Sequence, residues 1–423
     1  MITAQELATF APAAYAGAPH VPPQAVPLTT RILHAALFIA IFTSFVAFVE
    51  PSPHDLMVMA LALACLIAGV TFDRNVLPLF LLLMLWNISG LVSLFHIASN
   101  SKALQYAGVS FYLAIAAVMF ACLLAHDSER RIGVLRAAYI LAALCAACAG
   151  IAGYFRLVPG GLFTEYGRAS GTFKDPNVYA PFLILPLLFM IEPMISRRIK
   201  IKDLAIALVL LVGLFLSFSR GAWLHFAISA AVMVMIQFVA AATQRARMRI
   251  VMLSLLAVAG ILVLLVVLTS IGNVAAMLQE RAQAVQSYDV GEGGRFRLQQ
   301  LALGALLDAP LGLGPFEFGR IYGLQQHNVY LQAFVVYGWV GGLAYVTMVL
   351  LTLMWGLRAA LVRTPWQPYL SAAYGAFVGE AAEGFVIDTD HWRHFFLILG
   401  IVWGLSAATI KHSRIQSGLV APA

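Results

Sequence analysis

Arginine and histidine side chains stand at three places between long apolar stretches of this chain. Arg220 lies in a short turn, Arg295 and Arg297 lie in a glycine-rich segment, and His327 opens another apolar run. A guanidinium group offers a planar fork of donors that fits phosphate oxygens and keeps its charge. An imidazole changes protonation near neutral pH, so it can accept a proton from a hydroxyl group or donate hydrogen bonds to a pyrophosphate. These residues predict a site for a phosphorylated substrate.

A plainer interpretation exists at each place. Arg220 suits a side chain that reaches from a helix end to the membrane surface, and the glycine-rich segment suits a solvated loop with incidental charge. His327 suits a polar cap at the start of a helix. The residues alone leave these alternatives open.

The elements that must hold these residues are membrane helices. The chain is 62% hydrophobic and 11% charged, and apolar runs of 18 or more residues recur along it. The runs lack period-2 alternation, which favours helices over barrel strands. The sequence therefore predicts an all-α, polytopic membrane bundle of about twelve transmembrane helices. We place the spans near residues 32–49, 54–71, 76–97, 106–125, 132–153, 177–194, 203–218, 221–241, 250–271, 328–357, 367–386 and 394–411.

Four regions follow from these spans. Residues 1–30 are rich in alanine and proline and lack the features of a signal peptide, so we expect a flexible tail. Residues 31–271 hold transmembrane helices 1–9, and residues 328–415 hold helices 10–12. Between them, residues 272–327 form one large loop with short helices of its own, including an amphipathic one from Leu298 to Leu307.

The distribution of positive charge predicts the orientation. With both termini cytoplasmic, about 16 of the 26 lysines and arginines fall on the inner side, mostly in short loops. Most of the others lie in the long outer segments, where they need a different explanation. The net charge of +7 is thus largely topogenic, and no nucleic-acid-binding pattern accompanies it. The four cysteines lie in apolar spans and are typical of small core residues.

Two further polar segments stand out. Arg168 and Lys174 lie in the second-longest outer loop and suit either a phosphate or sugar site or a solvated loop. Glu380 and Glu383 lie within the eleventh span, where carboxylates are usually functional. The alternative is internal pairing with an arginine such as Arg393.

Several motifs, taken in order, are similar to those of the O-antigen ligase and O-antigen polymerase superfamily. They extend over about residues 175–345, with a large loop late in the chain. The motifs are Phe218-Ser219-Arg220-Gly221, Gly294-Arg295, Leu311-Gly312-Leu313-Gly314, His327-Asn328-Val329-Tyr330-Leu331-Gln332 and Tyr337-Gly338-Trp339-Val340-Gly341-Gly342.

The resemblance implies a metal-independent glycosyltransferase of the bacterial inner membrane without a cofactor. Its donor would be a glycan on undecaprenyl pyrophosphate, its acceptor lipid A-core or another glycan, and its other partners membrane lipids, with no nucleic acid. Transfer would occur on the periplasmic face. By the same resemblance Arg220 and Arg295 would bind the pyrophosphate, and His327 would be the functional histidine. Further substrate-binding residues are expected at Arg168, Lys174, Arg297, Asn328 and Arg393.

Three other functions remain possible from the sequence. A polymerase of repeat units shares the motifs and differs from a ligase in its acceptor. A transporter of the same lipid-linked glycan fits twelve spans, although the two halves show no internal repeat. A structural protein would not need arginines gathered at one membrane face. We favour the ligase type.

Overall fold

The computed structural model describes residues 27–97, 100–197, 199–281, 291 and 294–417. Most of the expected N-terminal tail, together with Glu292 and Gly293 of the glycine-rich segment, lies outside the described residues.

The described chain is an all-α bundle, as predicted. Its one sheet is a two-residue hairpin in which β1 (Thr164–Glu165) pairs antiparallel with β2 (Arg168–Ala169). The helices are α1 (Leu28–Phe42), α2 (Pro53–Ile67), α3 (Leu77–Ser93), α4 (Ser101–Leu124), α5 (Ser128–Tyr154), α6 (Pro176–Ser196), α7 (Ile201–Leu216), α8 (Arg220–Ala240), α9 (Gln244–Thr269), α10 (Gly272–Arg281), α11 (Arg295–Asp308), α12 (Glu317–Tyr322), α13 (Val329–Ala360), α14 (Gln367–Glu383) and α15 (Arg393–Gln416).

Every predicted span coincides with a helix, but fewer than twelve helices are long enough to cross a bilayer. Within the described ranges, nine helices are long and apolar enough to do so. The other three, α2, α7 and α14, have 15, 16 and 17 residues. A crossing helix needs about 20 residues, so length and composition alone support nine spans.

Small residues let the inner helices approach closely. A Cβ atom on Gly400 of α15 would lie 2.8 Å from the Ala117 carbonyl oxygen of α4, and one on Gly404 would lie 2.6 Å from that of Ala121. Such close contact between backbones is typical of membrane helices, where van der Waals packing replaces the hydrophobic effect. In contrast, α9 lies at the periphery, and its only buried residues are Ile250 and Leu268.

Helix α13 is broken at Gly338, where the sequence predicted a continuous span. Gly338 has φ of 70°, which glycine tolerates and other residues rarely adopt. The backbone groups freed at the break bond to the segment before α12: Leu313 N donates to Val335 O at 2.7 Å, and Trp339 N donates to Pro310 O at 2.9 Å. Irregular backbone is tolerated in a membrane protein only where its polar groups are satisfied in this way. The long loop is therefore anchored to α13 itself.

Candidate functional site

Arg220 is the first residue of α8, and a sharp turn presents it at one end of the bundle. We call this end the loop face; it includes the turn 217–219, the connection 155–175, the connection 384–392 and the start of α13. Phe218 has φ of 49°, unusual for an aromatic residue, and its ring is buried. Ser219 then caps the helix, since its Oγ accepts a hydrogen bond from Ala222 N at 3.4 Å. The turn fixes where the arginine side chain starts.

Arg168 supports this turn from within the protein. Its guanidinium group donates from Nε to Ser217 O at 2.6 Å and from Nη2 to Asn177 Oδ1 at 2.8 Å. The residue is only 6% exposed. Charge-assisted bonds of this kind are strong and directional, so Arg168 ties the 155–175 connection to the start of α8. The predicted substrate contact of Arg168 stays a prediction, and the geometry favours a positioning role.

Glu383 of α14 packs against Gly221, the residue that follows Arg220 in α8. A Cβ atom added to Gly221 would lie 2.8 Å from Glu383 Oε1, so the absence of a side chain admits the carboxylate. Its other oxygen, Oε2, lies 2.8 Å from Nδ1 of His225, one turn along α8. Nε2 of His225 faces the Ala376 carbonyl oxygen at 3.0 Å and must donate to it. The contact between Nδ1 and Oε2 therefore shares a further proton, and the buried pair is neutral overall.

The C-terminal end of α14 also joins α13 and α11. Val329 N donates to Gly384 O at 2.8 Å, and Asn328 Nδ2 donates to Phe385 O at 3.1 Å. Gln299 of α11 donates from Nε2 to the same Phe385 oxygen at 3.3 Å. The starts of α8, α11 and α13 thus meet around the end of one helix, although they are far apart in sequence.

Arg295 is the first residue of α11. Gln299, one turn later, also donates to the His327 carbonyl oxygen at 3.4 Å, which brings the start of α11 beside the histidine. Arg220 and Arg295 both have interaction partners within the protein. Arg297 is exposed. The predicted amphipathic helix is confirmed, and it begins three residues earlier than Leu298.

His327 has an acidic neighbour that the sequence did not identify as its partner. Its Nδ1 lies 3.6 Å from Oδ2 of Asp388, in the connection between α14 and α15. Asp388 Oδ1 accepts a hydrogen bond from Asn328 N at 2.9 Å. The His327 side chain is 45% exposed, whereas Asp388 is 18% exposed. Burial raises the pKa of Asp388, and the nearby imidazole of His327 partly offsets this.

Asn328 is the N-cap of α13. Its Oδ1 accepts from Tyr330 N at 3.0 Å and from Leu331 N at 3.1 Å, and its Nδ2 is bonded to Phe385 O. The side chain is thus committed to ordering the start of the helix next to His327. Its predicted contact with substrate is not tested by this arrangement.

A polar network continues inward from the residue before the histidine. Gln326 Nε2 donates to Gln332 Oε1, and Gln332 Nε2 donates to Tyr106 Oη at 3.2 Å. The Tyr106 hydroxyl donates to Asp390 Oδ2 at 2.6 Å, and its ring lies 3.7 Å from that of His391, centroid to centroid. The network connects α4, α13 and the 384–392 connection.

The carboxylates of α14 pair with histidines and not with Arg393. Arg393 forms a bidentate pair with Asp55, at 2.8 Å for both bonds, because α2 begins beside α15. Glu380 is fully buried, and its Oε1 lies 3.4 Å from Nε2 of His394. The suggested partnership of Glu380 and Glu383 with Arg393 is wrong.

Lys174 lies at the rim of the loop face. Its Nζ contacts Glu50 Oε1 at 2.7 Å, and the two side chains are 55% and 54% exposed. Both Lys174 and Arg393 line a cavity whose wall does not include Arg220, Arg295 or His327.

Comparison with known proteins gives a family match for the part of the chain that holds these helix starts. Residues 205–346 match the O-antigen ligase family. This part of the chain is similar to the O-antigen ligase and polymerase superfamily. The match covers about a third of the chain, from α7 to the first part of α13, and it includes Arg220, Arg295 and His327. A comparison with curated proteins finds no match. The superfamily resemblance noted in the sequence is confirmed, and the match does not separate an O-antigen ligase from a polymerase.

Proposed function

We propose that this protein transfers a glycan from undecaprenyl pyrophosphate to an acceptor hydroxyl group, with lipid A-core as the acceptor. The loop face would lie on the periplasmic side of the bacterial inner membrane. One observation carries the proposal: the helix starts that bear Arg220, Arg295 and His327 meet around the end of α14.

The two arginines suit the leaving group of such a reaction. Breaking the bond between the sugar carbon and the pyrophosphate leaves negative charge on the phosphate oxygens. Arg220 and Arg295 each open a helix, where the helix dipole adds partial positive charge. Charges placed in advance near a developing anion lower the barrier, and each such donor commonly contributes about a hundredfold or more in rate. Arg297, exposed on α11, would assist in binding the donor.

His327 suits the acceptor hydroxyl group. Asp388 faces Nδ1 of the imidazole, so a proton held on Nδ1 leaves Nε2 as the basic nitrogen. Nε2 would take the hydroxyl proton as the oxygen attacks the anomeric carbon. The distance of 3.6 Å to Asp388 is longer than a hydrogen bond, and such contacts commonly shorten when substrate binds.

A strain that lacks the gene tests the proposal. For a ligase, lipopolysaccharide should lose its long chains while lipid-linked polymer remains, and the wild-type chain should restore them. Accumulation of single repeat units would instead identify a polymerase, the second candidate that the superfamily match allows. Transfer by the purified chain in liposomes, with lipid-linked donor and acceptor on the same side, separates an enzyme from a transporter. A chain that only moves the lipid-linked glycan across the bilayer would contradict the proposal.

A further inference from the structure

A cavity of about 180 Å³ opens near the loop face, and its wall does not include Arg220. It lies between the start of α2, the start of α6 and the start of α15. Its wall includes His54, Lys174, Phe182, Trp392 and His394. At ~30 Å³ for each water molecule, this volume equals about six waters, which is room for one sugar ring.

Two buried histidines give the cavity unused hydrogen-bonding capacity. His54 is 5% exposed, and its Nδ1 faces the Ala40 carbonyl oxygen at 2.7 Å, so Nδ1 carries the proton. Within the described ranges, Nε2 of His54 has no hydrogen-bond partner. His394 is 4% exposed, and its Nε2 lies 3.4 Å from Glu380 Oε1, which leaves Nδ1 as the ring nitrogen without a partner in the described part of the chain. Buried polar groups are normally satisfied, which points to a ligand or water in the cavity.

The charges around the cavity are balanced, so they offer an anion little net attraction. Lys174 and Arg393 contribute two positive charges, and Glu50 and Asp175 contribute two negative ones. Arg393 is in addition neutralised by its bidentate pair with Asp55. A phosphate group would gain little from such a balanced wall, whereas hydroxyl groups can both donate to and accept from it.

Aromatic side chains supply the remaining surface. Phe173, Phe182 and Trp392 line the cavity beside the polar groups. A mostly apolar wall with a few placed polar groups is typical of small-molecule sites. A sugar ring presents both kinds of surface, with C–H groups on its faces and hydroxyl groups at its edge.

The cavity is close to the group around His327. Asp388, which faces His327, and His391, which lines the cavity, belong to the same short connection. Three residues of extended chain span at most about 11 Å. A sugar in the cavity and an atom at His327 can therefore belong to one glycan.

We propose that this cavity binds one neutral sugar residue of the glycan chain handled at the loop face. The proposal rests on the glycan transfer put forward above. The sugar comes either from the donor glycan or from the acceptor.

Binding of free sugars tests the site without any need for transfer. The purified full chain is titrated with glucose, galactose, N-acetylglucosamine and inorganic phosphate while tryptophan fluorescence is recorded, and Trp392→Phe identifies the signal. We expect a saturable change with at least one neutral sugar and none with phosphate. Val178→Phe, which fills the cavity, should abolish the change, and Val258→Phe on the exposed face of α9 should retain it.

The opposite results overturn the proposal. They are a signal with phosphate alone, no signal with any sugar, or an unchanged signal in Val178→Phe. If Val178→Phe does not accumulate in the membrane, Ala47→Leu fills the cavity from another wall and replaces it.

Kinetics identify the source of the sugar. Val178→Phe should raise KM about tenfold, equivalent to ~1.4 kcal/mol, for either the donor or the acceptor, with kcat unchanged. The substrate whose KM rises is the one that the cavity binds, and two unchanged KM values would contradict the proposal. Sugar binding in a wild-type chain that transfers no glycan would refute the proposed function and leave the cavity assignment intact.

Discussion

Glu383 Oε2 and His225 Nδ1 lie 2.8 Å apart in the interior of the bundle, directly behind the start of the Arg220 helix. The two side chains are 1% and 0% exposed. Breaking a buried pair by removing one partner is costly, because the other polar group is left unsatisfied. Since the same carboxylate lies against Gly221, this contact links the packing of α8 against α14 to the position of Arg220.

Gly221→Ala should disturb that contact. The new Cβ atom would lie 2.8 Å from Glu383 Oε1, so the carboxylate or the turn must move. We expect glycan transfer to fall about tenfold or more, although alanine is intrinsically better than glycine in a helix by ~1 kcal/mol. Gly260→Ala on α9, where no atom lies within 4 Å of the new group, is the matched control and should transfer normally. Normal transfer in Gly221→Ala would show that the contact does not position Arg220.

Arg220→Lys keeps the charge but loses the planar fork. We expect transfer to fall about a hundredfold, in line with the loss of a donor to a developing anion, while the protein still accumulates in the membrane. Arg320→Lys, at a side chain that is 70% exposed, provides the control. Nearly wild-type transfer by the Arg220→Lys variant would show that Arg220 only anchors a helix end at the membrane surface.

Arg168→Met tests the support beneath the turn. The change leaves Ser217 O and Asn177 Oδ1 without their charged donor, which should cost about 2–3 kcal/mol of folding free energy. Thermal unfolding of the purified chain measures this. Lys174→Met, which breaks an exposed ion pair with Glu50, should cost less than ~1 kcal/mol. Equal effects in the two variants would argue against a positioning role for Arg168.

Asp388 should control the acid side of the pH profile of transfer. Burial raises the pKa of this carboxyl group, so it takes up a proton at a higher pH than an ordinary aspartate and then no longer offers a carboxylate to His327. Transfer should therefore decline as the pH falls through the folded pKa of Asp388. In Asp388→Asn this decline should disappear and the maximal rate should be lower. An acid limb that is the same in both chains would exclude Asp388 as its origin.

The free energy of unfolding should change with pH in the opposite direction to the transfer rate: Asp388 should stabilise the folded protein more at low pH than at high pH. A raised pKa means that the folded state holds the proton more tightly than the unfolded chain. The stabilisation that the proton on Asp388 provides is complete below the pKa of this residue in the unfolded chain. It is lost as the pH rises through the pKa of Asp388 in the folded protein. Thermal unfolding as a function of pH, compared with Asp388→Asn, measures this difference.

The orientation of the loop face is tested by single cysteines in a cysteine-free chain. Leu324→Cys, in the large loop, should react with a membrane-impermeant maleimide in cells with a permeable outer membrane. Ala242→Cys, between α8 and α9, should react only after lysis. Both native residues are exposed. The reverse pattern would place the loop face in the cytoplasm and contradict the proposed function.

The sequence predicted the helices well because each apolar run identifies a helix by itself. It also located Arg220 and His327 at the ends of helices, whereas it placed Arg295 in a loop and the structure begins α11 at this residue. However, the spacing of apolar residues and the composition of each run do not reveal which helices are neighbours. The contact of His225 with Glu383 spans 158 residues, and that of Asp55 with Arg393 spans 338. Such pairs arise only from packing.

Two local features were also beyond the reach of the sequence. Gly338 belongs to a motif within a span that the sequence predicted to be continuous, and its break in α13 depends on backbone bonds to the segment that includes Pro310 and Leu313. Asp388 is one of two acidic residues, with Asp390, that follow the eleventh span. Its position beside His327 is what distinguishes it.

The separation of His225 from Glu383 along the chain also has a consequence for biosynthesis. At about 5–20 residues per second, synthesis of the intervening 158 residues takes roughly 10–30 s. During that interval α8 is in the membrane with an unpaired histidine, which is unfavourable in lipid. The Arg220 turn acquires its final support only when α14 is inserted. Until then, the nascent protein is a membrane-embedded intermediate without the contact between His225 and Glu383.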